Sequence, residues 1–133
     1  MELDHIGIAV NSLNDAQKFY EVLGWTSMPT EEVKSEQVKV GFLKLENNCA
    51  IELLESTSSE GPIAKFISKR GPGIHHICLR VKDIYKTLAD LKAKNIRLIH
   101  TEPKLGAHNC LVAFVHPQAT GGVLLELSQP QGD

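Results

Sequence analysis

Two histidines and two glutamates stand out as side chains that could hold a metal ion. His5 sits in Asp4-His5-Ile6-Gly7-Ile8-Ala9-Val10 and His76 in His75-His76-Ile77-Cys78-Leu79-Arg80-Val81. Glu52 sits in Cys49-Ala50-Ile51-Glu52-Leu53-Leu54 and Glu126 in Val123-Leu124-Leu125-Glu126-Leu127-Ser128. Each glutamate lies between aliphatic neighbours. A carboxylate in the middle of an apolar strand is costly unless it is paired, hydrogen-bonded or metal-bound. Two imidazoles and two carboxylates suit a divalent cation that keeps open positions for water or substrate. The competing reading of the same residues is that each glutamate pairs with a nearby histidine, or with Arg80, in a solvated groove.

These four residues belong to a repeat. The two histidines are 71 residues apart and the two glutamates 74, so the second copy carries three extra residues. Around them the hydrophobic pattern predicts the same element order twice: strand, helix, then three strands. Ser12 is a candidate helix N-cap. Leu13, Ala16, Phe19, Tyr20 and Leu23 follow at helical spacing, and Gly24 closes the helix. In the second copy Asp83 is the cap, Ile84, Leu88 and Leu91 form the stripe, and Asn95 stands at the end. Strands are predicted at Trp25–Pro29, Val38–Leu45 and Cys49–Leu54, and again at Arg97–His100, Cys110–His116 and Val123–Leu127. Ser56–Gly61 reads as a turn-rich linker, and Pro62–Lys69 as a short helix with proline near its start. The chain thus reads as one domain, 1–133, with module one at about 1–55, a linker at about 56–72 and module two at about 73–133.

Strand alternation places the chemistry. Successive side chains on a strand point to opposite faces. Ile6, Ile8 and Val10 share a face, as do Ile77, Leu79 and Val81; these bulky faces should pack under each module's own helix. His5, His76, Glu52 and Glu126 then all take the face away from the helices.

The bulk properties exclude several classes. With 42% hydrophobic and 23% charged residues and a net charge of -2, the chain is that of an ordinary globular protein. Its Lys and Arg are dispersed, which argues against a nucleic-acid face or a polybasic membrane anchor. No apolar run approaches the roughly 18 residues of a membrane-spanning helix. Met1–His5 has no basic n-region, so no signal peptide is expected. Cys49, Cys78 and Cys110 are odd in number and lack CxxC spacing, which predicts reduced thiols in a cytoplasmic protein.

The motifs together resemble the vicinal oxygen chelate (glyoxalase/bleomycin resistance/dioxygenase) superfamily, and within it the methylmalonyl-CoA epimerase family. The resemblance covers nearly the whole chain. It rests on Asp4–Val10, Ile51-Glu52-Leu53-Leu54-Glu55 and Pro62-Ile63-Ala64-Lys65-Phe66. It continues through Gly73-Ile74-His75-His76-Ile77, Glu102-Pro103-Lys104-Leu105-Gly106-Ala107-His108, and His116-Pro117 followed by Gly121-Gly122-Val123-Leu124-Leu125-Glu126-Leu127. It implies an α+β fold in which two tandem β-α-β-β-β modules form a curved mixed sheet around a metal site, helices on the outer face. It implies His5, Glu52, His76 and Glu126 as ligands of a divalent ion (Co, Mn, Ni, Zn or Mg). It also implies an acyl-CoA substrate, no nucleic-acid or membrane partner, and a homodimer.

The implied reaction interconverts (2R)- and (2S)-methylmalonyl-CoA by removing the α-proton and returning it to the other face. Glu126 is the base that the resemblance nominates. Some family members supply a glutamate from the third strand for the opposite face; an ungapped match puts Val40 there. Lys39, Glu52 or a metal-bound water remain for that role. Lys65, Lys69, Arg70 and Lys104 are available to the coenzyme A arm, and His108 and Asn109 lie where the family's site opens. His75 reads as structural and Cys78 as a small core-lining residue. Alternatives are a glyoxalase I-like lyase acting on a glutathione adduct, an iron-dependent extradiol dioxygenase, and a metal-free binding protein.

Overall fold

The computed structural model describes residues 1–132; the expected end of module two, Asp133, lies outside the described residues. Its first strands and helices are β1 (Glu2–Ala9), α1 (Leu13–Val22), β2 (Thr30–Val33), β3 (Val38–Lys44) and β4 (Ala50–Ser56). A connecting helix, α2 (Pro62–Arg70), leads to β5 (Gly73–Arg80), α3 (Ile84–Ala93), β6 (Lys104–Leu105), β7 (Cys110–Val115) and β8 (Leu125–Pro130). The α+β class and the doubled β-α-β-β-β order are therefore as the sequence predicts.

The residues group into two compact units: 6–75, and 1–5 with the chain from 76 onward. The division falls inside β1 and β5, so each strand gives one part to each unit. Within 6–75 the strand order is β2-β3-β4-β1. Within the other unit it is β1-β5-β8-β7-β6, with β5 and β8 parallel and β7 antiparallel to both β8 and β6.

Each unit places its helix on one face of its strands. In 6–75, Leu13 of α1 packs with Leu43 and Leu53, joined by Ile8, Val10, Ala16, Tyr20 and Ile51. In the other unit, Ile84 and Leu88 of α3 pack with Ala113, Val115 and Leu127, joined by Leu79, Val81 and Leu125. The predicted cap residues start both helices: Ser12 Oγ accepts from Asp15 N at 3.2 Å and Asp83 Oδ1 from Lys86 N at 3.1 Å. The repeat extends to a detail that the sequence did not announce. Glu55 Oε1 accepts from Leu13 N, and Gln129 Oε1 accepts from Ile84 N, both at 2.8 Å. Glu55 and Gln129 each stand three residues after the glutamate of their module, so the strand that carries the glutamate also satisfies a first-turn amide of the packed helix.

Three predictions need correction. Trp25–Pro29 is not a strand. Trp25 and Met28 instead plug the core under α1, and Trp25 Nε1 donates to Lys44 O at 3.1 Å. Arg97–His100 makes only a single bridge, Leu98 with Val115. The amides of Ile99 and His100 both donate to Phe114 O, at 2.9 and 3.2 Å, which leaves no regular ladder. Phe19 and Leu23, placed in the buried stripe of α1, are 61% and 59% exposed.

Candidate metal centre

His5, His76 and Glu126 meet in the unit built from 1–5 and 76 onward. Alternation along β1, β5 and β8 turns all three away from the α3 core. His5 and His76 are each 5% exposed and Glu126 8%. The two Nε2 atoms are 2.9 Å apart, and Glu126 Oε1 lies 3.1 Å from His5 Nε2 and 3.0 Å from His76 Nε2. The imidazoles stand edge to face, with ring centroids 5.0 Å apart at 86°. Two nitrogens and one oxygen thus converge on one point.

This spacing suits a cation. Octahedral coordination at about 2.1 Å puts adjacent donors about 3.0 Å apart. Two imidazoles and one carboxylate on one face of an octahedron leave the remaining positions for other ligands. The donor set therefore fits a divalent ion in both chemistry and mutual distance.

The electrostatics agree. Burial by itself would raise the Glu126 carboxyl. Hydrogen bonds and charge from His5 and His76 outweigh it and hold the group at about 2, so the side chain is an anion at neutral pH. Asp4 shows the same competition: burial raises it, but His5 and Arg80 bring it below the usual carboxylate range. Burial, chiefly, pushes the Cys78 thiol up to about 12, so it is neutral beside the cluster. Cys78 is fully buried on the same face, as the sequence suggested, and all three cysteines are free.

The strand register adds Phe114, Ser128 and His100, which sequence reasoning missed, and places Lys104, which it had offered only as a contact for the coenzyme A arm. Phe114 pairs with Glu126 across β7 and β8, and its ring packs edge-on to His76 at 5.6 Å. Lys104 pairs with Val112, which pairs with Ser128, so Lys104 and Ser128 share the face of Glu126. Burial lowers the pKa of Lys104 and of His100, and the Glu126 charge acts against that in both. His100 Nδ1 accepts from Phe114 N at 3.0 Å, so its donor and acceptor roles are partly committed. Only the pairing of β6, β7 and β8 could have revealed this row.

Glu52 belongs to the unit 6–75. It is 6% exposed on β4, opposite Phe42 of β3 and on the face away from Leu53. Val40 lies two residues along β3 on that same face and is buried. Lys39 pairs with Glu55, takes the face opposite to Glu52 and is exposed, which does not fit the second acid/base role for which it was a candidate. His75 packs its ring against Phe66 at 4.9 Å, in keeping with a structural role. His108 and Asn109 form a tight turn with φ of 56° and 55°. A Cβ at Gly106, just before it, would stand 3.0 Å from both Val112 methyls, a tight contact that favours glycine there.

Fold and site together define an α+β protein of two β-α-β-β-β repeats with a two-histidine, one-carboxylate cluster. Comparison with known proteins then narrows the class. Residues 4–114 match the model of the Glyoxalase/Bleomycin resistance protein/Dioxygenase superfamily. Methylmalonyl-CoA epimerase, mitochondrial, of Bos taurus is 41% identical over 96% of this chain and 73% of its own. Ethylmalonyl-CoA/methylmalonyl-CoA epimerase of Cereibacter sphaeroides is 39% identical over 96% of each. A solved variant of Streptomyces coelicolor methylmalonyl-CoA epimerase, in complex with 2-nitronate-propionyl-CoA, superposes with a TM-score of 0.89 at 29% identity over 99% of both chains. The chain belongs to this superfamily and, within it, to the methylmalonyl-CoA epimerase family.

Proposed function

We propose that this protein is an isomerase that interconverts (2R)- and (2S)-methylmalonyl-CoA by abstracting and returning the α-proton through an enolate. The observation that carries the reading is the convergence of His5 Nε2, His76 Nε2 and Glu126 Oε1 in a buried cluster, in a chain whose relatives are epimerases. His5, His76 and Glu126 would hold the divalent ion, and the sequence repeat nominates Glu52 as a fourth ligand. Bound there, the ion supplies positive charge that stabilises the developing enolate.

The chain's own residues do the proton work. Glu126 is ionised at neutral pH and its second carboxylate oxygen is the candidate base. A carboxylate is an intrinsically weak base. It can take a proton only from a strongly acidified carbon, which is why base and electrophile belong in one cluster. Phe114 against His76 limits water around that ring, and a drier site strengthens each electrostatic contact. Lys104, on the same face as Glu126, is the basic residue best placed to meet an anionic substrate group. Return of the proton to the other face is assigned to Glu52 or a water. The free cysteines accord with a reducing compartment such as the cytoplasm, and the homodimer rests on the family resemblance alone. Among the described residues no helix is long and apolar enough to cross a membrane.

Replacement of Glu126 by Gln, in protein verified by elemental analysis to retain its metal, tests the assignment. Turnover should fall by about 100-fold or more. Near-normal turnover would remove Glu126 as the base.

A further inference from the structure

His5 has two ring nitrogens, and only one faces the cluster. Nε2 lies 2.9 Å from His76 Nε2, so Nδ1 points away, where it donates to Asp4 Oδ2 at 2.7 Å. The other Asp4 oxygen is also engaged. Arg80 Nε and Nη2 both donate to Oδ1, at 2.9 and 2.7 Å. Arg80 Nη1 reaches on to Glu2 Oε1 at 3.3 Å. All four side chains belong to the unit that carries the cluster.

The choice of nitrogen matters because a second donor set adjoins the first. Asp4, His5 and Cys78 also present ligand atoms within 4.8 Å of one another. His5 is common to both sets. A proton on Nδ1 leaves that nitrogen without a lone pair for a cation, so Nε2, which would give up its hydrogen bond in the cluster when an ion binds, is the nitrogen left to ligate. The Arg80 guanidinium on Asp4 opposes a second positive charge at that carboxylate.

We propose that Asp4 and Arg80 are a positioning pair that keeps a proton on His5 Nδ1 and orients the ring, and thereby commits Nε2 to the side of His76 and Glu126. Asp4 orients the ring, and Arg80 fixes Asp4 by donating twice to one oxygen. The consequence for metal affinity rests on the metal-centre reading above. The Nδ1 proton does not.

The test uses full-length protein with ¹⁵N-labelled histidine, free of metal, and reads which ring nitrogens of His5 carry a proton. Two-bond ¹H–¹⁵N spectra report the tautomer, and loss of the signal in His5→Gln assigns His5. Wild type should show Nδ1–H. Asp4→Ala should gain the Nε2–H form, whereas Asp4→Asn, whose amide oxygen still accepts, should retain Nδ1–H. Titration with Co²⁺ gives the second readout: Asp4→Ala and Arg80→Gln should bind about 10- to 100-fold more weakly, and Asp4→Asn should lose less. A purely structural role would lower the melting temperature without moving the tautomer. A wild-type His5 protonated on Nε2 alone, with no proton on Nδ1, overturns the proposal. So does unchanged tautomer together with Co²⁺ affinity within twofold of wild type in Asp4→Ala and Arg80→Gln. If Asp4→Ala does not fold, Arg80→Gln decides by its Co²⁺ affinity and the wild-type tautomer decides alongside it. Wild type that binds no Co²⁺ contradicts the metal-centre reading alone, because the tautomer is measured without metal.

Discussion

The cluster residues were legible in the sequence, while the groups that orient and surround them were not. Alternation about His5, His76 and Glu126 sufficed to place three donors on one face, and the repeat supplied the pairing. Alternation also hid Asp4, because adjacent residues on a strand nominally face opposite ways, yet Asp4 bonds the ring of its neighbour. Lys39 was a candidate only while the register of β3 was unknown. At this scale the Glu126 carboxyl makes a prediction for metal-free protein. Its folded-state value of about 2 lies below the ordinary 4.5, so the unfolded chain takes up the proton first as pH falls. The ionised group therefore favours folding above about pH 4.5, and that contribution fades as pH drops from there toward about 2. Urea unfolding midpoints of wild type should fall across this window, and Glu126→Gln should lack that part of the slope. Parallel acid profiles for the two would contradict the assigned electrostatics.

Elements with strong punctuation were predicted well, and those placed by tertiary contact were not. Ser12, Asp83, Pro62, Gly24 and Asn95 mark helix ends by local chemistry that needs no knowledge of the fold. Trp25–Pro29 and Arg97–His100 carry strand-like composition, but Trp25, Met28 and Leu98 fill the space under a helix instead of pairing in a ladder. Phe19 shows the same limit from the other side: its spacing fits the stripe of α1, yet its ring packs only at the edge of Tyr20, with centroids 5.2 Å apart. This contrast is measurable. Leu88, 1% exposed in the α3 core, should cost about 2–5 kcal/mol on replacement by Ala. Phe19→Ala should cost less than about 1 kcal/mol. Denaturant unfolding of the two variants checks the ranking, and a larger loss for Phe19→Ala would mean that α1 buries the wrong face here.

On the scale of the whole molecule, duplication is the feature from which the rest follows. One strand–helix–strand plan, used twice, delivers a histidine and a glutamate per copy and the same helix-amide contact from Glu55 and Gln129. A net charge of -2 with dispersed cations accords with a small-molecule substrate and not with a polyanion. The duplicated plan alone does not specify the reaction, since one fold hosts many chemistries; the buried cluster and the epimerase relatives do that together. This cluster, loaded with a divalent ion, is expected to exchange the α-proton of methylmalonyl-CoA with loss of stereochemistry. The most direct test incubates metal-reconstituted protein with one epimer in D₂O, with and without EDTA, and follows the α-carbon by NMR. Deuterium incorporation with epimerisation that EDTA abolishes is the expected result. No exchange in protein shown to hold its metal would contradict it.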